Sequence, residues 1–244
     1  MINFREKILE IFCPDISCLI CGKDLSKTTK THICDECKKA IPFIKNSCKK
    51  CGKDVQEYDS CSFCISRKFY FDRAIAVVNY EGNIISCFYR LKKISQRYFV
   101  KFMSYYMVCA YKNANIKADS IVCVPSTNKM LKDRGFNQAH DLMLLCNDYL
   151  HLADLSNNIV QIKNVKNQKR LNLEDRIKIA QDKYKIVHPS KFKGKSVLII
   201  DDVLTTGATV DSIAQKLKYS GASKVYVLTF ATVPSKKSLK EIEL

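Results

Sequence analysis

The chain has 244 residues, of which 47% are hydrophobic and 27% charged, with a formal net charge of +17. That is ample apolar material for a packed core, as one large domain or two small ones, while no uninterrupted apolar stretch approaches the roughly 20 residues that cross a bilayer, which excludes a membrane-spanning helix. The basic balance fits a polyanionic substrate or a nucleic acid.

Residues 1–12 carry Arg5, Glu6, Lys7 and Glu10 among apolar residues. They read as a short amphipathic helix and not as a signal peptide, so a cytoplasmic protein is expected. Ten of the thirteen cysteines lie before residue 90, and eight of those form four CxxC pairs: Cys18/Cys21, Cys34/Cys37, Cys48/Cys51 and Cys61/Cys64. A reducing cytoplasm favours metal over disulfides, and two CxxC pairs supply the four thiolates of one tetrahedral Zn²⁺ site. Redox-active CxxC motifs rarely come four at a time. Gly22 and Gly52 directly follow Cys21 and Cys51, as in zinc knuckles. Two structural zinc ribbons are therefore expected, one on Cys18, Cys21, Cys34 and Cys37, the other on Cys48, Cys51, Cys61 and Cys64; the spacing leaves a cross-braced pairing open. With few core residues of its own, this segment depends on the metal to fold. Cys13, Cys87, Cys109, Cys123 and Cys146 read as core or free thiols.

The charge divides unevenly. Residues 1–71 hold 13 Lys/Arg against 9 Asp/Glu, and residues 72–244 hold 28 against 15. Zinc thiolates would bring the first part near neutrality, so the footprint for a polyanion lies in the second. The expected organisation is an N-terminal helix and double zinc ribbon over 1–67 and a second domain over 68–244.

In that second part, Arg73–Tyr80 reads as a strand and Ile84 to about Leu91 as a helix, followed by a basic break over 92–97. Phe99, Phe102, Met103, Tyr106, Met107 and Ala110 mark one face of the next helix. Asp119–Val124 reads as a buried strand ending at Pro125. Ala139, Leu142, Met143, Cys146 and Leu150 mark another helix, and Ile159–Ile162 a short strand. Residues 163–195 are basic and weakly patterned. The last elements are an apolar strand from Val197, a helix with Val210, Ile213, Ala214 and Leu217 on one face and Gly221 at its end, and a strand over Val225–Phe230. Strands alternating with helices argue for an α/β fold with a mostly parallel sheet.

The stretch Val197–Val210, VLIIDDVLTTGATV, carries the chemistry. A buried strand runs into Asp201 and Asp202, and a loop of Thr205, Thr206, Gly207, Ala208 and Thr209 opens a helix. Loop N–H groups and the positive end of the helix dipole form an anion site, with threonine hydroxyls as further donors. The two carboxylates can accept from sugar hydroxyls or hold Mg²⁺. Successive strand side chains point to opposite faces, so Asp201 and Asp202 are expected to divide the work. No Lys follows the glycine and the acids precede it, so this is not a Walker A loop.

This run resembles the phosphoribosyl-pyrophosphate (PRPP) motif of type I phosphoribosyltransferases. Ile121–Ser126 (IVCVPS) resembles the pyrophosphate loop of the same enzymes, and Arg134–Gln138 (RGFNQ) resembles a segment typical of the ComF family, the competence-protein-F-like phosphoribosyltransferases. Gln168, Leu171 and Arg176 resemble that family's flexible loop, Tyr80 with Leu91-Lys92 its first strand–helix unit, and the cysteine pairs its double zinc ribbon. The resemblance implies a type I phosphoribosyltransferase fold, a mostly parallel sheet flanked by helices, preceded by the small ribbon module. It implies PRPP as ligand with Mg²⁺: Asp201 and Asp202 at the ribose as the catalytic pair, Thr205–Thr209 at the 5′-phosphate, and Pro125, Ser126 and Thr127 at the pyrophosphate with Arg134 and Lys92. Gln168, Arg170 and Arg176 would sit on the loop that closes over the site. Two departures stand out. Ile179 takes a position where the family usually has Asn, and Thr205 takes one where purine-salvage relatives carry an Asp that helps proton transfer, which disfavours a hypoxanthine- or guanine-type acceptor.

The resemblance also implies a role in DNA uptake during natural competence, with single-stranded DNA and a DNA-translocating helicase as partners. Two readings follow: phosphoribosyl transfer to an acceptor the sequence does not name, or a non-catalytic single-stranded-DNA-binding accessory that uses the fold as a scaffold. The basic–aromatic runs KFYF (68–71) and RYFVKF (97–102) suit stacking platforms, but Phe99 and Phe102 lie on the apolar helix face and are expected in the core.

Overall fold

Strands buried on both faces read as unbroken apolar runs, because helices cover each side of a parallel sheet. A computed structural model describes residues 17–25, 32–55, 61–65, 67–94, 98–126, 135–162 and 183–234. Its strands are β1 (Arg73–Asn79), β2 (Ser120–Cys123), β3 (Ala153–Asp154), β4 (Ile159–Gln161), β5 (Tyr184–Ile186), β6 (Ser196–Leu204) and β7 (Lys224–Thr232). Its α-helices are α1 (Asp35–Lys39), α2 (Ser62–Ile65), α3 (Asn83–Ile94), α4 (Tyr98–Asn113), α5 (Gln138–Leu150) and α6 (Ala208–Tyr219). Five strands form one sheet in the order β1-β7-β6-β2-β3, every neighbour parallel.

Alternation along β6 and β7 sorts the core into two layers. Leu198, Ile200, Leu228 and Phe230 face a layer with Phe88, Phe99, Met103 and Leu142 from α3, α4 and α5. Val197, Ile199, Val225 and Val227 face the other layer, with Val210, Ile213 and Leu217 from α6. α5 and α6 thus lie on opposite faces. The chain leaves β2 outward toward β3 and leaves β6 the other way toward β7, so strand order reverses between β2 and β6. In open parallel sheets ligands bind at such a switch point, beyond the strand C-termini.

Three expectations need correction. The basic break does not begin at Lys92: α3 continues through Lys92 and Lys93 to Ile94, since straight-chain lysines are good helix formers. The strand near Ile159 is not part of the main sheet but pairs antiparallel with β5. β5 itself falls in the stretch read as weakly patterned, its signal being only two buried residues, Tyr184 and Ile186. The helix read over 1–12 lies outside the described residues. Phe99 and Phe102 are buried, as expected, and Phe71 with them; rings packed in the core cannot stack on bases.

The ribbon module closes the sheet's β1 edge. Phe43 bridges Val78 in antiparallel sense, Ile44 N–H donates to Val77 C=O at 3.0 Å, and Asn79 N–H donates to Pro42 C=O at 2.9 Å. A covered edge has no free ladder groups on which another chain can pair.

Candidate functional site

The two cysteine clusters form from knuckle turns. Cys18 and Cys48 each begin one: Gly22 N–H donates to Cys18 C=O and Cys18 N–H to Lys23 C=O, and the same pattern repeats with Gly52, Cys48 and Lys53 at 2.8–2.9 Å. In each cluster the four Sγ atoms lie within 4.8 Å of one another. The pairing is sequential, Cys18, Cys21, Cys34 and Cys37 in one and Cys48, Cys51, Cys61 and Cys64 in the other, which decides against cross-bracing. A tetrahedral ZnS₄ site with Zn–S of about 2.3 Å has sulfur–sulfur edges of ~3.8 Å. Cys21–Cys34 and Cys48–Cys64 both stand at 3.7 Å, and Cys51–Cys61 at 3.3 Å. Burial alone would raise the Cys18 thiol, but N–H groups of Cys21, Cys34 and Ile20 bring it to about 6. Cys48 comes to about 7 by the same balance, with N–H groups of Cys51, Lys50 and Cys61. Burial, and then the neighbouring thiols, raise Cys37; burial, with Cys48 and Cys61 outweighing an opposing bond to Cys51, takes Cys64 up to about 12. Sulfurs this close ionise together only around a cation, and the donor set suits Zn²⁺.

The second constellation sits at the switch point. β2 ends where Cys123 pairs Ile200, and Val124 N–H donates to Ile200 C=O at 3.1 Å. Val124–Ser126 therefore leave the sheet beside Asp201 and Asp202. β6 stays extended through both carboxylates to Leu204, so their side chains diverge. Asp201 raises the Tyr184 hydroxyl, already pushed up by burial, to about 12. Asp202 adds, on the other layer, to the burial that raises Tyr80. The carboxylates do not form one claw, in line with strand alternation. Asp201 Oδ1 accepts from Asp202 N–H at 3.0 Å and Asp202 Oδ1 from Val203 N–H at 2.7 Å.

Beyond Leu204, Thr205, Thr206 and Gly207 make the turn into α6. Gly207, at φ 75°, is the N-cap. Asp211 N–H to Gly207 C=O, at 2.8 Å, is the first bond of the helix, so the N–H groups before it are left at its positive end. Ala208 N–H reaches Thr206 Oγ1 at only 3.4 Å. Thr209 stands in the first turn. Thr205–Thr209 and the Val124–Ser126 turn thus meet at one end of the sheet with Asp201 and Asp202. Lys92 lies on α3, its side chain outside the described atoms. Thr127, Arg134, Gln168, Arg170 and Arg176 lie outside the described residues.

Asn137 caps α5: its Oδ1 accepts from Ala139 N–H at 3.1 Å, and its Nδ2 donates to Val124 C=O at 3.3 Å, tying the helix to the β2 turn. Sequence reasoning missed the cations that brace the site. Lys50 Nζ donates to the carbonyls of Phe69 and Phe71, Lys53 Nζ to those of Thr205 and Val233, and Arg67 Nη1 to that of Thr206 at 3.5 Å. Nothing in the sequence separates these from the chain's other lysines and arginines.

The chain is also similar to known proteins. The phosphoribosyl transferase domain family matches residues 106–243 and the double zinc ribbon domain matches residues 8–65. Competence protein F of Haemophilus influenzae is 25% identical over 217 residues, covering 86% of this chain and 94% of that protein. DNA utilization protein YhgH of Escherichia coli is 26% identical over 201 residues, covering 80% and 88%. Among solved structures, an allosteric regulatory enzyme of purine biosynthesis aligns with 53% of this chain and 25% of its own, at 18% identity and a TM-score of 0.38. A double zinc ribbon followed by a parallel-sheet phosphoribosyltransferase domain, with relatives of this kind along most of its length, makes the chain a member of the phosphoribosyltransferase family, of the ComF type.

Proposed function

We propose that the chain binds PRPP with Mg²⁺ at the β2/β6 switch point and transfers its phosphoribosyl group to an acceptor, in the service of DNA uptake. The observation that carries this reading is the placing of Asp201 and Asp202 on opposite faces directly before a loop that opens a helix. A sugar phosphate needs just that arrangement, with anion donors at one end and separate hydroxyl acceptors beside them. The Thr205–Thr209 loop takes the 5′-phosphate, and Asp201 and Asp202 take the ribose hydroxyls. Pro125, Ser126 and Thr127 take the pyrophosphate with Arg134 and Lys92, while Gln168, Arg170 and Arg176 belong to the loop that closes over it. Transfer breaks the bond between C1 and the pyrophosphate oxygen and forms one from C1 to the acceptor, through a cationic transition state. The chain's part is positioning, charge placement and exclusion of water. Mg²⁺, a hard cation suited to these carboxylate oxygens, supplies charge neutralisation on the leaving group. We take the division into a ribbon module over 1–67 and a phosphoribosyltransferase-like domain over 68–244 as its working organisation.

Titration of PRPP into the zinc-loaded protein, with and without Mg²⁺, tests this. Mg²⁺-dependent binding is expected in the wild type and is lost in Asp201→Asn and Asp202→Asn, whose far-UV spectra stay unchanged. Equal affinity in those variants sinks the site assignment, and acceptors are then sought by pyrophosphate release only if binding holds. A second reading rests on the names of the two relatives, one tied to competence and one to DNA utilization, and on the basic excess of residues 72–244. It has the chain hold single-stranded DNA and meet a helicase, with the fold as scaffold. Affinity for an oligonucleotide should then fall steeply with salt, and a flat dependence counts against it.

A further inference from the structure

A lysine side chain is seldom fully buried without a partner that needs it. Lys53 is 2% exposed. It directly follows the Cys48–Gly52 knuckle of the second ribbon, and its own C=O accepts the Cys48 N–H that closes the turn. Its ammonium reaches out of the ribbon: Nζ donates to Thr205 C=O at 3.2 Å and to Val233 C=O, while the ribbon's own Phe63 ring lies with its centroid 4.7 Å away. Thr205 is the first residue of the phosphate loop. Val233 is tied back to the end of β6 by its own N–H to Leu204 C=O at 3.1 Å. Gly207, two residues on, lies under the Phe69 ring, which a Cβ there would meet at 3.3 Å.

We propose that Lys53 is a positioning residue of the phosphate loop, through which the second zinc ribbon holds that loop in its anion-binding form. The proposal rests on the PRPP reading for the identity of the anion, but not for the contact itself. In a planar trans peptide the C=O and the next N–H point opposite ways. Anchoring Thr205 C=O on the ammonium therefore turns Thr206 N–H away from the ribbon. Arg67 does the same, more weakly, for Thr206 C=O and Gly207 N–H. Two successive carbonyls drawn to cations leave two successive N–H groups facing the other way, the backbone concavity that accepts an anion. A cation on the carbonyl also polarises the peptide and strengthens its N–H as a donor. The zinc knuckle sets where Lys53 starts, because the turn that carries it is built on Cys48 and Cys51.

The test is Lys53→Met, which keeps the unbranched apolar stem and removes the donor, made in the zinc-loaded full chain. Zinc content and far-UV dichroism confirm two metals and a folded chain. Losing charge-assisted bonds should speed amide exchange in the peptide spanning 204–210 by about tenfold and weaken Mg-PRPP binding by about tenfold. Exchange in β2 and α5 should stay at wild-type rates, whereas a purely structural role would raise exchange throughout. Wild-type exchange at 204–210 in a two-zinc Lys53→Met protein overturns the proposal. Where Met does not retain both zincs, Lys53→Leu, which also lacks a donor, carries the same test. If the wild type itself fails to bind PRPP, the functional reading fails, and the exchange comparison still decides the role of Lys53.

Discussion

Gly22 and Gly52 occupy equivalent places in the two knuckles, at φ 78° and 71°, yet their surroundings differ in a way that predicts unequal costs. A Cβ on Gly22 meets nothing within 4 Å. A Cβ on Gly52 would lie 2.9 Å from the Ala74 carbonyl oxygen, 3.1 Å from its carbon and 3.2 Å from Ala76 N, all backbone of β1. Gly22→Ala thus carries only the left-handed penalty for an L-residue, about 1–2 kcal/mol. Gly52→Ala adds the displacement of a strand from the ribbon docked on it, about 1–3 kcal/mol more by the measure of overpacked sites. Folding of a zinc module and metal affinity are one equilibrium, so the losses appear as zinc release to a competing chelator. Gly22→Ala should weaken one of two zincs about 5- to 30-fold, and Gly52→Ala should weaken the other by about 30-fold to a few thousand-fold. Amide exchange in β1 should rise in the second variant alone. Equal zinc losses in the two variants, or an undisturbed β1 in Gly52→Ala, would refute close docking of the second knuckle on the sheet.

Two other outcomes follow from the core and the charges. Phe230, fully buried and with ring centroids of Phe88, Phe99 and Phe102 within 5.6–6.2 Å, should cost about 3–5 kcal/mol on replacement by Ala, read by urea unfolding in far-UV dichroism since the chain has no Trp. Asp72 bonds Lys218 at 2.7 Å and accepts Val225 N–H at 2.8 Å. Burial opposes its charge, but Lys218 and that N–H win and hold its carboxyl below the usual 3.8. A depressed carboxylate stabilises the fold above its unfolded value and loses that contribution as pH falls through its folded one. Asp72→Asn should therefore cost about 1 kcal/mol or less at neutral pH, allowing for solvent screening, with the gap to wild type constant at higher pH and closing only below 3.8. A gap that widens in acid contradicts this.

Local pattern carried a large part of the outcome. The unbroken apolar run of Val197–Ile200, bounded by a turn, read as a buried strand, and the alternation of strand side chains already separated Asp201 from Asp202. Four CxxC pairs named their metal chemistry through ligand type and spacing, which no tertiary contact changes. The apolar stripe from Phe99 to Ala110 announced a core helix and kept its aromatic rings out of solvent. Other features had no local signature. The short β3 and β5 have too few residues for periodicity to register. Sequential metal pairing was undecided, because identical spacings serve both connectivities and only the path of the chain between pairs chooses one.

The ribbon's place in the molecule was least legible. Lys53 meets Thr205 and Val233 across 152 and 180 residues of chain, and Gly52 meets Ala74 where only the absent Cβ lets two backbones touch. Composition and spacing determined the strand–loop–helix unit and the cysteine chemistry, since those depend on residues close in sequence. Which edge the ribbon covers, and that its lysine braces the phosphate loop, was decided by tertiary packing alone, because complementarity between distant backbones leaves no periodic trace in either segment.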